Sequence, residues 1–454
     1  MDITTTSIPG LLVVRLDVHG DNRGWFKETW QREKMTALGL PDFGPVQNNM
    51  SFNATRGTTR GIHAEPWDKF VTAATGRFFG AWVDLREGPS FGTVFTTEVD
   101  ESVAVFVPCG VANGYQTLTD AVSYSYLVNA HWSEAMIPQY AYLNLADPTV
   151  AIPWPIPLAE AEISDKDRQH PFLAGAKRIT RKQTLILGGN GQLGRALAPL
   201  FPDARRIDID ELDLTDDAQV AAFPWDEYDT LINAAAWTNV DAAETPAGRT
   251  GAWKANAVAP ATLAKLALTH RQRLVHISSD YVFDGTKTPW TETDDFAPLS
   301  VYGQSKAAGD LAVGLVPRHY LLRTSWVVGD GRNFLRIMGD LAERGISPTV
   351  VADQIGRLTH AANLAQAIKH LLETGAPYGT YNCTDGGDPV SWADIAQAVF
   401  VAHGRSADAV TPVSTETYYA GKTPIAPRPR LSVLDLGKLE ATGYVVPVYP
   451  LGQD

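Results

Sequence analysis

The chain has 454 residues, of which 44% are hydrophobic and 20% are charged. At about 150 residues per domain, this length predicts two or three domains with buried cores and excludes a single small binding module. Acidic residues outnumber basic ones by 51 to 38, which argues against a general nucleic-acid or membrane-surface binder, since such proteins present a basic face.

Cysteine usage and the first residues of the chain indicate its compartment. Cys109 and Cys383 belong to no CxxC or Cys/His pattern, so neither a disulfide framework nor a structural zinc site is expected. The opening MDITTTSIPGLLVV lacks the basic start and long apolar core of a secretory signal. The longest apolar runs are far shorter than the ~20 residues that span a bilayer. We therefore expect a cytoplasmic protein with no membrane or nucleic-acid partner.

Residues 1–154 contain short β-rich runs separated by Gly, Pro and Asn. The runs are LLVVRLDV, KFVTAATG, RFFGAWVDLR, GTVFTTEV, VAVFVP and AVSYSYLV. Helical periodicity is scarce there, apart from a stretch at residues 33–38. Many closely spaced strands with turn signals predict an antiparallel sandwich, jelly roll or barrel.

A change of composition marks the end of this region. The proline-rich IPWPIPLAEAE is followed by the polar ISDKDRQHP and the basic KRITRKQ, which together are typical of an interdomain linker. We place the boundary between Lys177 and Lys182. The predicted domains are residues 1–176 and residues 183–454.

The second half alternates strands with helices. An apolar strand, TLIL, leads through a glycine turn into the helix RALAPL. The strand-like RRIDID and DTLINAAAW, an Ala-rich helix at residues 255–269 and the strand RLVHISSDYVF follow. This alternation predicts an α/β domain with a parallel sheet and helices on both faces.

The turn GGNGQLG, which begins at Gly188, directly follows the first of these strands. Glycines let the backbone approach a pyrophosphate, whose charge the start of the helix then meets. Downstream, Asp213 and Leu214 are suitably placed to contact an adenine ring. The strand at residues 205–210 mixes Arg with Asp, so it does not choose between NADH and NADPH.

A reductase site is indicated by Tyr302 and Lys306, which are four residues apart and share a helix face. The Lys306 ammonium is expected to lower the pKa of the Tyr302 phenol, which makes it a proton donor to a carbonyl oxygen. Ser279, at a strand end, is placed to hydrogen-bond the same oxygen. A lone YxxxK is usually a solvated helix face, but the glycine turn and the Asn-Ala-Ala-Ala strand end favour the functional interpretation.

The first half also brings ionisable residues close together in sequence. Arg60, His63 and Lys69 fall within one strand-turn-strand passage, and Tyr126 and Asp167 follow. A lone histidine is usually structural, but a histidine with a carboxylate partner is a competent base and a tyrosine is a plausible acid. This set predicts a site with a base and an acid for proton transfer.

The second half resembles the extended short-chain dehydrogenase/reductase superfamily and, more narrowly, the dTDP-4-dehydrorhamnose reductase family. The matching passages are GGNGQLG, INAAAWTNVDAAE, ISSDYVFDGT, PWTETD, PLSVYGQSK and RTSWVVGDGRNF. The resemblance implies a Rossmann-type fold, catalysis by Ser279, Tyr302 and Lys306, and sugar contacts from Asp280 and Trp326. It implies NADH or NADPH bound by Gly188, Gly191, Gln192, Leu193, Gly194, Asp213, Leu214, Ala234, Ala235 and Ala236, together with Tyr302 and Lys306.

The first half resembles the cupin-type dTDP-4-dehydrorhamnose 3,5-epimerase family through DNRGWFKETW, QNNMS, TRGIH, DKFVTAATGRFFGAWVDLREGPSFGT, VPCGVANGYQTLTD and DPTVAIPWP. The resemblance implies that His63, supported by Asp167, removes protons next to a ketone, that Lys69 stabilises the enolate and that Tyr126 reprotonates it. The implied sugar and nucleotide contacts are Arg23, Glu28, Gln47, Asn49, Arg60 and Asn113. No metal is expected in this half.

Two departures from the epimerase pattern leave its activity open. Asn113 stands where the family has histidine, and His131-Trp132 replaces a Tyr-Tyr pair. Asparagine hydrogen-bonds but carries no proton or charge. Epimerisation at one carbon only, a changed sugar and a non-catalytic binding domain are the alternatives.

Together the resemblances imply one chain that epimerises dTDP-4-dehydro-6-deoxy-D-glucose at C3 and C5 and then reduces C4 to give dTDP-L-rhamnose. A homodimer through the first half is expected, because cupin epimerases are typically dimers. Magnesium binds some reductase relatives at a dimer contact, but the sequence does not place its ligands. One alternative is a reductase with a non-catalytic or altered first domain. Another is a regulatory subunit with a reductase-like fold, against which the intact Ser279, Tyr302 and Lys306 argue.

Overall fold

A computed structural model describes residues 1–180 and 182–452 of the chain. The chain divides into two compact units, residues 1–181 and residues 182–454. Arg181, in the predicted linker, lies outside the described residues. No helix of the described part is both long enough and apolar enough to cross a membrane.

The first unit consists mainly of strands. They are β1 (Asp2–Thr5), β2 (Leu12–Arg15), β3 (Val18–Asp21), β4 (Gly24–Lys27), β5 (Gln47–Asn53), β6 (Thr59–Ala64), β7 (Lys69–Thr75), β8 (Phe78–Asp84), β9 (Val94–Val99), β10 (Val103–Val107), β11 (Val111–Thr117), β12 (Val122–Val128) and β13 (Ala141–Tyr142). The α-helices are α1 (Arg32–Ala37) and α2 (Asp165–Arg168).

These strands form an antiparallel sandwich. One sheet has the order β1-β2-β10-β7-β12-β5 and the other β13-β6-β11-β8-β9, while β3 and β4 form a separate hairpin. Alternation along the strands places Val71, Phe78, Trp82, Tyr115 and Tyr124 in a shared core. The predicted all-β jelly roll is confirmed, and strand β11, missing from the predicted runs, lies at the centre of its sheet.

The second unit alternates strands and helices. Its strands are β14 (Gln183–Leu187), β15 (Arg205–Ile207), β16 (Tyr228–Asn233), β17 (Arg273–Ser279), β18 (His319–Thr324), β19 (Val327–Val328), β20 (Thr349–Val351), β21 (Ile355–Gly356), β22 (Thr359–His360), β23 (Gly379–Asn382), β24 (Val390–Ser391) and β25 (Thr411–Val413). Its helices are α3 (Gln192–Leu197), α4 (Asp217–Ala222), α5 (Pro246–Trp253), α6 (Ala259–His270), α7 (Val301–Val313), α8 (Phe334–Glu343), α9 (Ala361–Thr374), α10 (Trp392–Ala402), α11 (Thr415–Tyr419) and α12 (Gly437–Glu440).

The central sheet of this unit is parallel, with the order β15-β14-β16-β17-β18-β23. Leu197 of α3 and Leu364 of α9 belong to the core on one face, and Leu263 of α6 and Val313 of α7 belong to the core on the other. The predicted Rossmann-type α/β fold is confirmed. The glycine turn after β14 and Ser279 at the end of β17 lie at the carboxyl ends of strands, where ligands of such sheets bind.

The predicted helix at residues 255–269 differs from the observed one. A π-helical turn, Lys254–Val258, joins α5 to α6. The buried Asn256 donates to the Trp237 carbonyl at 3.1 Å and to Ser305 Oγ at 3.2 Å. Side-chain bonds of this kind favour a wider helical turn, which hydrophobic periodicity does not indicate.

Candidate active sites

The site of the first unit is built around a histidine–carboxylate pair. His63 on β6 and Asp167 on α2 are joined by a 3.0 Å bond between His63 Nε2 and Asp167 Oδ1. Burial works to raise the pKa of Asp167, but the His63 bond and the Gly61 N–H outweigh it, so the pKa is lowered. A charged carboxylate accepts the Nε2 proton of neutral His63, which leaves the Nδ1 lone pair as the basic atom.

A buried network surrounds Lys69, the first residue of β7. Its Nζ forms an ion pair with Glu65 and donates to Asn113 Oδ1 at 2.7 Å. Asn113 Nδ2 in turn donates to the Tyr124 hydroxyl at 3.0 Å. Because ammonium only donates, the Asn113 amide has a fixed orientation. Asn113 therefore completes this network with hydrogen bonds alone, although it cannot carry a proton.

Tyr126 on β12 lies beside this network. Lys69 Nζ is 5.4 Å from the centre of its ring. Burial raises the pKa of Tyr126 to about 12, and the Glu65 charge adds to the effect. The phenol is therefore protonated at neutral pH, as a proton donor must be. Sequence reasoning missed Glu65, because the turn between β6 and β7 brings it to Lys69 and strand periodicity does not indicate that contact.

Three predicted substrate contacts lie on β5 and β6, which are consecutive in the chain but belong to different sheets. Asn49 on β5 stands directly opposite Tyr126 in the sheet. Gln47 donates from Nε2 to Asn49 Oδ1 at 2.9 Å. Arg60 on β6 donates from Nε to Asn53 Oδ1 at 3.0 Å. The two amides thus lie on the strand that pairs with the strand of Tyr126, and the guanidinium lies on the same strand as His63.

Arg23 and Glu28 are not brought to this cluster. Arg23 forms an ion pair with Asp21 on the exposed β3–β4 hairpin, and Glu28 pairs with Lys34. Within the described ranges, no hydrogen bond or ion pair joins either residue to the group around His63. Their predicted contact with substrate stays a prediction.

A metal could be held by one group of side chains. In residues 1–180 and 182–452, His63, Asp167 and His170 are the one set of three His, Cys, Asp or Glu residues whose ligand atoms cluster. These atoms lie within 4.8 Å of one another. The magnesium ion considered above has no comparable acidic cluster in that part of the chain and is not supported.

The site of the second unit is a cavity of about 920 Å³. Its lining includes Gly188, Gly191, Gln192, Leu193, Asp213, Leu214, Ala234, Ala235, Ala236, Ser279, Asp280, Tyr302, Lys306 and Trp326. Of the residues predicted for this site, Gly194 is not part of the lining. The sequence motifs therefore converge on one space although they come from the ends of five strands and from α7.

The glycine turn fits a dinucleotide. Gly188 has φ +79°, and a Cβ there would lie 2.7 Å from the Ala235 nitrogen. A Cβ on Gly194 would lie 2.3 Å from the Gly188 carbonyl, so this residue packs the helix against the turn instead of lining the cavity. These are the glycine roles that a pyrophosphate turn requires.

Asp208 lies beside this turn and was missed in the sequence. It directly follows β15, lines the cavity and accepts the Asn190 N–H at 2.8 Å. An acidic residue about 20 residues after the first glycine is the usual partner of the adenosine ribose. The mixture of Arg and Asp around β15 concealed it, because only the strand end shows which side chain faces the turn.

Tyr302 and Lys306 lie on α7, but their electrostatics differ from the expectation. Burial raises the pKa of Tyr302 to about 12, while Ser279 works in the opposite direction. Lys306 Nζ donates to the Ile277 carbonyl at 2.6 Å, and burial lowers its pKa to about 8. The expected lowering of the tyrosine pKa by Lys306 is therefore wrong for the protein without ligands, because desolvation of the phenol dominates.

Acidic side chains add to this effect. Ser279 Oγ donates to Asp280 Oδ1 at 2.9 Å, and burial raises the pKa of Asp280 to about 6. Asp310, one helical turn beyond Lys306, is buried and paired with Arg323 at 3.1 Å. Both carboxylates contribute to the raised pKa of Tyr302. Sequence reasoning named Asp280 as a sugar contact and missed Asp310.

Trp326 also lines the cavity of the second unit. Its backbone has φ +47°, an uncommon value for a tryptophan. Its ring stacks on Trp392 at a centroid distance of 4.0 Å. The indole is therefore held rigidly where it lines the cavity.

The folds and sites define a protein that joins a jelly-roll domain with a histidine–carboxylate base to a reductase domain with a Ser-Tyr-Lys site. The RmlD substrate binding domain model matches residues 182–449, and the dTDP-4-dehydrorhamnose 3,5-epimerase model matches residues 5–175. The chain belongs to both families: its first unit is an epimerase domain and its second a reductase domain.

Individual relatives agree with this division. The first unit is similar to the protein RmlC homolog of Streptococcus pyogenes, at 51% identity over 38% of this chain and 90% of that protein. The second is similar to dTDP-4-dehydrorhamnose reductase of Aggregatibacter actinomycetemcomitans, at 39% identity over 56% of this chain and 91% of that protein. It also resembles the structure of dTDP-4-dehydrorhamnose reductase from Bacillus anthracis in complex with NADP, with 33% identity, a TM-score of 0.55 and coverage of 60% and 97%.

Proposed function

We propose that the two domains, residues 1–176 and 183–454, catalyse consecutive steps on one nucleotide sugar. The first inverts C3 and C5 of dTDP-4-dehydro-6-deoxy-D-glucose, and the second reduces the C4 ketone to give dTDP-L-rhamnose. The observation that carries the proposal is that one chain contains both complete groups of reactive side chains. These are His63, Lys69, Tyr126 and Asp167 in one unit and Ser279, Tyr302 and Lys306 in the other.

In the epimerase domain, His63 Nδ1 takes a proton from the carbon next to the ketone, and Asp167 stabilises the imidazolium. The Lys69 ammonium stabilises the enolate oxygen, and Glu65 holds that ammonium in place. Tyr126 then returns a proton to the opposite face. The Lys69–Asn113 bond supports activity, since Asn113 satisfies the network without carrying a proton.

In the reductase domain, Tyr302 donates a proton to O4 of the sugar and Ser279 hydrogen-bonds the same oxygen. A bound reduced nicotinamide supplies the hydride for C4. Lys306 would hold the ribose of the cofactor, and its charge there would oppose the raised pKa of Tyr302. Asp280 and Trp326 hold the sugar against the wall of the cavity.

We propose that the cofactor is NADH or NADPH. The complex of the Bacillus anthracis relative with NADP supports a nicotinamide dinucleotide. Asp208 supports acceptance of NADH, because its carboxylate suits a ribose diol and repels a 2′-phosphate. The finer proposal is therefore that this chain uses NADH at least as well as NADPH.

A homodimer through the first unit is part of the proposal. Strand β5 lies at the edge of its sheet, and its Met50 and Phe52 side chains are 61% and 63% exposed. Exposed apolar residues on a sheet edge favour pairing with another chain. Light scattering should give twice the chain mass, and Phe52→Glu should give monomers. A monomer at all concentrations would contradict this part.

The function is tested by incubating the purified chain with dTDP-4-dehydro-6-deoxy-D-glucose and NADPH, without a separate epimerase. We expect loss of the nicotinamide absorbance and an NMR spectrum of dTDP-L-rhamnose. If cofactor oxidation required an added epimerase, the first domain would be a binding or assembly domain. If no oxidation occurred even then, the reductase assignment would be wrong.

A further inference from the structure

Three side chains that commonly bind transition metals converge in the epimerase domain. Asp167 Oδ1 lies 3.0 Å from His63 Nε2 and 3.8 Å from His170 Nε2. Zinc bonds of about 2.0–2.2 Å in a tetrahedron place ligand atoms roughly 3.3–3.6 Å apart, between these two distances. The three ligand atoms together lie within 4.8 Å of one another, a wider spread than a tetrahedral site has, so side-chain rotation must draw the two histidine nitrogens together before one ion can bind all three.

His170 is the unusual member of the group, because the hydrogen bond with Asp167 already satisfies His63 and not His170. The His170 side chain is 6% exposed, and neither of its ring nitrogens forms a hydrogen bond. The Gly61 backbone and the Asp167 carboxylate are the polar groups beside the ring, and their contacts with it lack the geometry of an ordinary hydrogen bond. A buried imidazole normally has a hydrogen-bond partner, so a ring beside a carboxylate without one suggests a missing ligand.

Packing holds this ring in place. The His170 ring lies on Tyr142 with centroids 4.8 Å apart and meets the His63 ring edge-on at 5.2 Å. Its orientation is therefore fixed by aromatic contacts, which hold the ring beside the Asp167 carboxylate.

We propose that His63, Asp167 and His170 bind a divalent transition metal, with zinc as the best match, and that the bound metal inhibits the epimerase. Two imidazoles and a carboxylate form a three-ligand zinc set with a fourth position for water. Binding rests on the geometry of these residues, whereas inhibition rests also on the proposed epimerase function.

The inhibition follows from where the histidine proton is placed. Without metal, neutral His63 carries its proton on Nε2, toward Asp167, and offers the Nδ1 lone pair to the substrate. A metal bound at Nε2 requires the neutral ring to carry that proton on Nδ1 instead. The ring keeps its proton, but neither nitrogen then has a free lone pair that could act as a base. The Asp167 carboxylate is bound to the metal as well. The domain can then no longer remove a proton from carbon.

The binding test is a titration of the full chain with Co²⁺, followed by absorbance, and displacement of Co²⁺ by Zn²⁺. We expect one tight tetrahedral site in the unaltered chain. His170→Gln removes a ligand, and His170→Phe removes it while keeping the aromatic contacts. Both should bind at least about tenfold more weakly. His19→Gln, at an exposed histidine of the same unit, should behave like the unaltered chain.

The functional test is exchange of sugar protons with D₂O, measured with and without Zn²⁺. Zinc should stop exchange in the unaltered chain and in His19→Gln, but not in His170→Phe at the same metal concentration. Equal metal affinity in the unaltered chain and both His170 variants would overturn the site. Exchange unaffected by saturating metal would overturn the inhibition. Absence of exchange even without metal would contradict the proposed epimerase, while the titration would still decide the binding site.

Discussion

The two active sites prepare their proton-transfer groups in opposite ways. In the epimerase domain, hydrogen bonds already pair the base with Asp167 and Lys69 with Glu65 and Asn113. In the reductase domain, burial displaces the pKa values of Tyr302, Lys306 and Asp280 to about 12, 8 and 6. The first site thus positions its groups mainly by hydrogen bonds and ion pairs between side chains, whereas in the second burial is the largest influence on the groups that carry protons.

Substitutions that remove a catalytic group from one domain should have the largest effects on the rate of that domain's reaction and none on the other's. Tyr302→Phe removes the proton donor to O4, and we expect reduction to slow by about 10²–10⁴-fold. Exchange of sugar protons with D₂O should be unchanged, since that reaction belongs to the other domain. His63→Asn should slow the exchange of sugar protons and leave the reduction of a supplied, already epimerised keto sugar unchanged. Loss of both activities in either variant, with the fold intact by circular dichroism, would contradict independent sites.

Asp280→Asn tests whether the reductase site is strained by burial. The pKa of Asp280 is raised to about 6, so the folded state binds its proton more tightly than the unfolded state. Its contribution to stability is present below the ordinary aspartate pKa of 3.8 and is lost as the pH rises through about 6.

The neutral variant avoids this loss, so the free energy of unfolding at pH 7 should rise by on the order of 2–3 kcal/mol. Reductase activity should fall at the same time. Denaturant unfolding at pH 4 and pH 7 measures the change. Equal destabilisation of the variant at both pH values would show that Asp280 is not strained in the folded protein.

Glu65→Gln tests preorganisation in the epimerase site. Without its charge, Lys69 loses its ion pair and Tyr126 loses a group that raises its pKa. We expect proton exchange to slow about tenfold and the alkaline limb of its pH profile to move to lower pH. Glu162→Gln, outside the catalytic group, is the control. A slower rate with an unmoved alkaline limb would limit Glu65 to a packing role.

The smallest expected effect concerns cofactor choice. Asp208→Ser removes the carboxylate beside the glycine turn, and the ratio of NADPH to NADH affinity should rise by about tenfold. Dissociation constants from quenching of tryptophan fluorescence measure this without turnover. The proposal for Asp208 fails if both affinities change by the same factor.

Much of this molecule follows from local sequence patterns. Alternation of apolar and polar residues predicts the strands. The glycine turn and the spacing of Tyr302 and Lys306 predict the reductase site. Spacing places Lys306 on the face of Tyr302, but it does not show that the ammonium bonds the Ile277 carbonyl. Glu65 and His170 escaped notice because their meaning depends on turns that fold them back toward Lys69 and Asp167.

The central claim is that one chain performs both reactions, and a single isotope measurement tests it. The purified chain is given dTDP-4-dehydro-6-deoxy-D-glucose and unlabelled NADPH in D₂O, and the sugar product is examined by NMR. We predict dTDP-L-rhamnose with deuterium at C3 and C5, where solvent reprotonates the inverted carbons, and protium at C4. A reduced sugar that keeps protium at C3 and C5 would contradict the account, because reduction would then occur without epimerisation.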